Sequence, residues 1–224
     1  MPPGSARRWA ARGDSSVVES ALVAKSARGK TTDAPPRRLV IAITGSTGTI
    51  YGVRLLEHLR AQRFFELHLI LSNPAKRTLV EETDLAVKDV EALADVVHDN
   101  RDIGASVASG SFRTEGMVIV PCSMKTASAL STSHADNLIA RAGDVTLKEG
   151  RRLIAVVRET PLHLGHLRVL VALAEIGAVV LPPMPAFYNR PRTVDDIVDH
   201  TVARILDRLG IEQALVPEWT GRSR

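Results

Sequence analysis

Leu39-Val40-Ile41-Ala42-Ile43 is an unbroken apolar run, mostly β-branched, that stops at Thr44-Gly45-Ser46-Thr47-Gly48. Apolar side chains at every position, rather than at alternate ones, mean a strand covered on both faces, which is the situation of a parallel sheet. The glycine-rich turn leads into a stretch from about Ile50 to Ala61 in which Val53, Leu56 and Leu59 recur at helical spacing. Strand, glycine turn and helix together open a βαβ unit.

The alternation continues down the chain. Strands are predicted at about 66–71, 117–121, 153–157 and 178–181, and helices at about 75–83, 124–133, 162–175 and 194–209. The segment 84–112 reads as a helix from Val87 to Ala94 and then a polar loop ending Ala108-Ser109-Gly110-Ser111. Strands separated by helices predict an α/β fold, a single-domain doubly wound parallel sheet of the Rossmann-like, flavodoxin-like kind, with its site at the carboxyl ends of the strands. A length of 224 residues with 45% hydrophobic content suits one such core. The expected division is residues 1–37 as an extension and 38–220 as the domain.

The formal charge of +4 is misleading as a sign of nucleic acid. Residues 1–38 hold eight Lys/Arg against three Asp/Glu, so the rest of the chain is near −1 and has no polyanion-binding character. The first 36 residues, rich in Ala, Arg and Ser, lack an apolar stretch of the secretory kind; Asp14 and Glu19 argue against a mitochondrial presequence. No 18-residue apolar run predicts a membrane span. A single cysteine, Cys122, excludes an internal disulfide and suggests a reducing, cytoplasmic setting.

Three polar corners fall at predicted strand ends. Gly45-Ser46-Thr47-Gly48 is either a tight connection or a cradle whose backbone N–H groups and hydroxyls suit a phosphate or a flavin edge. It is not a Walker loop, since no Gly-Lys-Ser/Thr follows, so a nucleotide other than ATP is implied. Val120-Pro121-Cys122-Ser123-Met124-Lys125-Thr126 is a second strand-to-helix corner, with capping by Ser123 as its plain structural reading. Cys122 there reads as a small buried filler, because no base motif adjoins it. Ser72-Asn73-Pro74 is the third, with Ser72 as cap and Pro near the first helical position.

Charges follow a fourth buried run in Val156-Val157-Arg158-Glu159-Thr160-Pro161, an edge where this architecture places function, a solvated loop pair being the alternative. His163 and His166 read as packing or hydrogen-bonding residues, for no third ligand stands at metal spacing. Asp195-Asp196 follows Thr193 in a first helical turn and reads as capping, not as a magnesium motif. Lys148, Arg158, Arg204 and Tyr188 offer donors for a monophosphate without metal, provided that they meet in space.

The stretches Thr44–Gly48 with Tyr51-Gly52-Val53-Arg54-Leu55-Leu56, Pro121–Thr126, Arg158-Glu159-Thr160-Pro161-Leu162-His163 and Pro183-Met184-Pro185-Ala186-Phe187-Tyr188 resemble, in order and spacing, the UbiX/Pad1 flavin prenyltransferases. The resemblance covers about 38–220. It implies attachment of a dimethylallyl group to reduced FMN, giving prenylated FMN for a UbiD-type decarboxylase in ubiquinone synthesis or aromatic-acid breakdown. It further implies FMN contacts from Gly45, Ser46, Thr47, Ser72, Ser123, Met124, Lys125, Thr126 and Arg158, and dimethylallyl monophosphate contacts from Tyr188, Arg204, Lys148 and Arg141. Glu159, with Thr47 beside it, is implied as catalytic through proton transfer, with a structural ion pair to Arg158 as the other reading of Glu159. Trp219 matches an aromatic near the site, or simply packs the chain end. Thr47 departs from the Ser found in many members but keeps the hydroxyl. The resemblance also implies a homo-dodecamer with sites between subunits, no metal, no nucleic acid and no membrane.

Two other functions remain open on these residues. One is an FMN-dependent decarboxylase acting on an aromatic acid or a peptidyl cysteine. The other is a carrier that delivers FMN without chemistry, which would need the glycine turn but neither Glu159 nor Tyr188 with Arg204.

Overall fold

The computed structural model describes residues 37–218 and Gly221. Its six strands are β1 (Arg38–Ile43), β2 (Glu66–Leu71), β3 (Val96–Asp99), β4 (Gly116–Cys122), β5 (Arg152–Val157) and β6 (Val179–Val180). All pair in parallel, in the order β3-β2-β1-β4-β5-β6. The chain winds outward from β1 through β2 to β3, returns to the centre at β4 and winds the other way. The switch point is therefore between β1 and β4, where such sheets open a crevice beyond their carboxyl ends.

The continuous apolarity of β1 has its cause in two cores. Leu39, Ile41 and Ile43 face one side with Leu67, Leu69, Val118 and Val120; Val40 and Ala42 face the other with Ile70, Met117 and Ile119. The first core is covered by α1 (Thr49–Gln62), α2 (Asn73–Glu82), the short α3 (Val87–Glu91) and α7 (Val194–Leu209). The second is covered by α4 (Met124–Ser131), α5 (Leu138–Lys148) and α6 (Leu164–Glu175). Each fully buried Leu or Ile stabilises such a core by about 1.5–3 kcal/mol relative to exposure.

Helix starts follow the expected chemistry. Ser72 and Ser123 each accept a hydrogen bond from the backbone N–H three residues on, at 3.1 Å and 3.4 Å. Thr193 and Asp196 form a reciprocal capping box, which accounts for Asp196 without a metal. His163 caps α6 through a bond from Gly165 N–H, and its ring lies 3.7 Å from that of His166.

Two elements differ from the sequence expectation. The helix after Val87 ends at Glu91, and the following segment holds β3 instead of a polar loop; this strand has four residues, none of them fully buried, so its apolar signal is weak. Residues 138–148, assigned no element above, form α5, capped by Asn137 and burying Leu138, Ile139, Ala142 and Val145. The first strand, β1, begins at Arg38.

Candidate functional site

Four neighbouring strands, in the order β2-β1-β4-β5, end on one rim. They deliver Ser72, the turn Gly45–Gly48, Ser123 and the pair Arg158-Glu159. Spacing between adjacent strands is about 4.8 Å, so the rim is on the scale of a fused-ring ligand.

Thr44 holds its centre together. Its hydroxyl donates to the Pro121 carbonyl at 2.8 Å and accepts from the Ser123 N–H at 2.8 Å, while its own N–H donates to the same carbonyl at 3.2 Å. Pro121 has no N–H to give to a ladder, and the β4–β5 register shifts between Ile119 and Cys122. The buried threonine fixes the β1 and β4 corners relative to one another.

The glycine turn is shaped by two close approaches. A Cβ on Gly45 would lie 2.2 Å from Pro74 Cβ, so only glycine lets the turn press on the start of α2. Gly48 sits at φ 95°, a left-handed conformation that glycine adopts at little cost, immediately before α1.

One expectation for this turn needs correction. The head of α1 is already filled: the Glu82 carboxylate accepts from Gly48 N–H, Thr49 N–H and the Thr49 hydroxyl, at 2.9–3.1 Å. A carboxylate there meets the positive end of the helix dipole, so those amides are not free for a nucleotide phosphate. What the turn retains is Gly45, Ser46 and Thr47, of which Gly45 and Thr47 are exposed. Ser46 Oγ is shielded from solvent and has no hydrogen-bond partner among the described residues. An orphaned hydroxyl in a polar rim fits a ligand that brings its own donors and acceptors, as the edge of a flavin does.

At the β4 corner the Ser123 and Thr126 hydroxyls are 3.2 Å apart, Lys125 is exposed with its ammonium 3.7 Å from Asp136, and Met124 is buried in the second core. Cys122 is buried, and that burial pushes its thiol up to about 12, which makes it inert filler and no nucleophile.

At the β5 corner the Arg158 N–H donates to the Cys122 carbonyl. Glu159 is exposed and accepts from the N–H of Thr160 at 3.1 Å; among the described residues it forms no ion pair with Arg158. Tyr51, in the first turn of α1, was assigned no role above. Burial raises its pKa, against the lowering effects of the Thr201 side chain on α7 and of the Arg158 charge.

The phosphate donors are not brought together by one chain. Tyr188 Oη lies 3.0 Å from His200 Nε2, and Arg204, one turn further along α7, is paired with Asp207 at 2.8 Å. Arg141 is paired with Asp144 at 3.2 Å on α5. Lys148 ends α5 beside Glu149 and Gly110, at the amino end of β5, whereas Arg158 follows its carboxyl end. A strand of six residues separates those ends by about 17–20 Å. Trp219 lies outside the described residues. Among the described residues no group of three or more His, Cys, Asp or Glu is placed to hold a metal ion, and no helix is long and apolar enough to cross a membrane.

A doubly wound parallel sheet with a hydroxyl-rich rim at its switch point, and no Walker loop, defines a mononucleotide-binding α/β protein of the flavin class. The Flavoprotein family matches residues 27–206. This chain belongs to that family and, within it, to the UbiX flavin prenyltransferases. It is 54% identical over 187 residues to the flavin prenyltransferase UbiX of Escherichia coli K12, covering 83% of this chain and 99% of that protein. It is 56% identical over 184 residues to a probable UbiX-like flavin prenyltransferase of Streptomyces sp. strain D7, covering 82% and 92%. Among solved structures, AnUbiX in complex with FMN and dimethylallyl pyrophosphate matches with a TM-score of 0.82 and 44% identity, over 84% of this chain and all of that one. A dodecameric FMN-dependent UbiX-like decarboxylase from Escherichia coli O157:H7 matches with a TM-score of 0.81 and 49% identity, over 82% and 100%.

Proposed function

We propose that this protein transfers the dimethylallyl group of dimethylallyl monophosphate to reduced FMN, yielding prenylated FMN for a UbiD-type decarboxylase. The observation that carries the reading is the rim itself, four adjacent strand ends bearing Gly45, Ser46, Thr47, Ser72, Ser123 and Arg158, in a chain that spans nearly the whole of a UbiX relative at 54% identity. The orphaned Ser46 hydroxyl and the Ser123–Thr126 pair hold the flavin edge, Lys125 and Arg158 supply positive charge, and Met124 contributes backbone donors.

Reduced FMN supplies the electron-rich ring atoms that accept the prenyl group. Tyr188 and Arg204 stabilise the phosphate as the allylic C–O bond breaks, through charge-assisted hydrogen bonds. Glu159, exposed at the carboxyl end of β5 and without an ion pair among the described residues, takes up the proton that ring closure releases. Thr47, exposed on the glycine turn, would offer its hydroxyl to the bound flavin.

A homo-dodecamer completes the site. Two observations support an assembly: Lys148 stands too far from Arg158 to serve the same rim from one chain, and α6 buries only Leu173 while Leu164 and Val171 are 61% and 57% exposed. Apolar helix faces of that kind are covered by partners. In this reading Lys148 and Arg141 reach the rim of a neighbouring subunit. The cytoplasm, where a single free thiol is undemanding, is the proposed compartment.

The test is incubation of the purified protein with reduced FMN and either dimethylallyl monophosphate or the pyrophosphate, followed by mass spectrometry of the flavin. A gain of one prenyl unit is expected with the monophosphate. FMN affinity no better than millimolar, or bound flavin without mass gain, overturns the reading. Because two solved structures, 49% and 37% identical to this chain, carry the name decarboxylase, release of CO2 from phenylacrylic acid by the FMN-loaded protein, without prenyl donor, is the second assay.

A further inference from the structure

The amino ends of β1, β4 and β5 lie at the edge of the sheet opposite the flavin rim, and a cavity of about 640 Å³ opens beside them. Strands of six residues keep it about 17–20 Å from the rim of the same chain. Three guanidinium groups and a single carboxylate line it: Arg38, Arg113, Arg151 and Glu115. The near-neutral charge of the domain as a whole conceals this local excess.

Most of these groups are matched. Glu115 pairs with Arg37 at 3.2 Å, and Arg38 pairs with Glu66 at 3.4 Å while lying over the Phe112 ring, 4.4 Å from its centroid. Two cations are not. Arg151 is half-buried and, among the described residues, donates only to uncharged oxygens: the Phe112 and Gly110 carbonyls at 2.9 Å and 2.6 Å, and the Thr114 hydroxyl at 3.5 Å. Glu149, the remaining acid that feels its charge, is held by Lys148. Arg113 is exposed and makes no hydrogen bond or ion pair among the described residues.

A partly buried guanidinium that meets dipoles but no counter-charge is incompletely compensated, and an anion drawn into the cavity relieves it. A phosphate dianion matches two such cations in charge and accepts from several sides; Arg113 offers its whole fork of N–H groups, and the Thr114 hydroxyl keeps its own proton to donate. The volume also leaves room for an organic group on the phosphate. We propose that this cavity is a second anion site, binding a phosphate group, free or as a monoester, between Arg113 and Arg151, apart from the flavin and prenyl-phosphate positions.

Calorimetry of the FMN-loaded protein with inorganic phosphate and with ribose 5-phosphate, at ionic strength held constant with sodium chloride, tests the site. Arg113→Ala removes an exposed, unpaired side chain and should fold as the parent does, but it should weaken phosphate binding by about 10-fold or more, the worth of one charge-assisted contact. Arg113→Lys should recover part of the loss. Arg204→Ala and Lys148→Ala, which disable the proposed prenyl-phosphate position, should leave this binding in place. Tighter binding of ribose 5-phosphate would mark an ester as the occupant, and equal binding a free phosphate. No heat beyond that of chloride in the millimolar range, unchanged affinity in Arg113→Ala, or a loss that follows Arg204→Ala or Lys148→Ala instead would overturn the inference.

Discussion

The Ser123 N–H donates to the Thr44 hydroxyl at 2.8 Å, and this bond joins the carboxyl ends of β1 and β4 at the point where the winding of the sheet reverses. The same hydroxyl reaches the Pro121 carbonyl at 2.8 Å, so one buried side chain serves the two corners that flank the crevice.

Thr44→Val keeps the shape and removes both bonds. It should cost about 1–3 kcal/mol, since a buried N–H and a carbonyl lose a partner, seen as a drop of several degrees in Tm. FMN affinity should fall too, because the β4 corner is no longer pinned. An unchanged Tm would show that the bridge is energetically idle.

Glu82→Ala empties the head of α1. A loss of about 0.5–2 kcal/mol is expected, the worth of a helix cap. The vacated amides then form an anion site, so added sulfate should raise the Tm of the variant more than that of the parent protein. Equal responses to sulfate would argue against the Glu82 contact.

Arg204→Ala should weaken use of dimethylallyl monophosphate by about 10- to 150-fold while sparing FMN, as one charge-assisted contact is lost. Steady-state kinetics with each substrate varied in turn, together with calorimetry of FMN, checks the separation. Loss of FMN binding in parallel would assign Arg204 to the flavin instead.

Glu159→Gln retains shape and removes the capacity to carry a proton. Turnover should fall by about 10²–10⁴-fold with both substrates still bound. Activity within about threefold of the parent would dismiss Glu159 as the proton carrier.

Acid should destabilise the protein through His68 and His98. His68 Nε2–H donates to Glu66 Oε1 at 2.9 Å, so its Nδ1 accepts from His98 Nε2–H, also at 2.9 Å. Burial is the main cause that lowers both pKa values below the ordinary 6.5. Lowered histidine values mean that the unfolded chain binds protons first, so this stability is full above about pH 6.5 and is lost as pH falls below it. His58 and His200 shift the same way, whereas burial of Glu57 and Asp199 raises theirs and favours the fold as they protonate at lower pH. Tm measured from about pH 7.5 to 5 should therefore fall more steeply in the parent than in His98→Gln. Parallel curves would remove the histidine pair as the source.

Local sequence alone marked the four strands that end on the rim and the helix caps beside them. The run Leu39–Ile43 is apolar at every position because β1 is covered by both cores, and Ser72, Ser123 and Thr193 cap helices through backbone groups three residues away. Such signals are short-range and leave a period or a spacing in the chain. β3 escaped because four half-exposed residues carry too little pattern, although α5, with its Asn137 cap and buried stripe, left a signal that could have been read.

The tertiary structure decided what depends on strand order and on approach between distant residues. Glu82 fills the helix head from 34 residues beyond Gly48. Tyr51 and Thr201 meet only because α1 and α7 cover the same face, and Lys148 stands at the far end of β5 from Arg158 because α5 runs opposite to the strands. No periodicity records these relations: each is set by where the folded backbone, wound outward twice from β1 and β4, brings two unrelated stretches of chain.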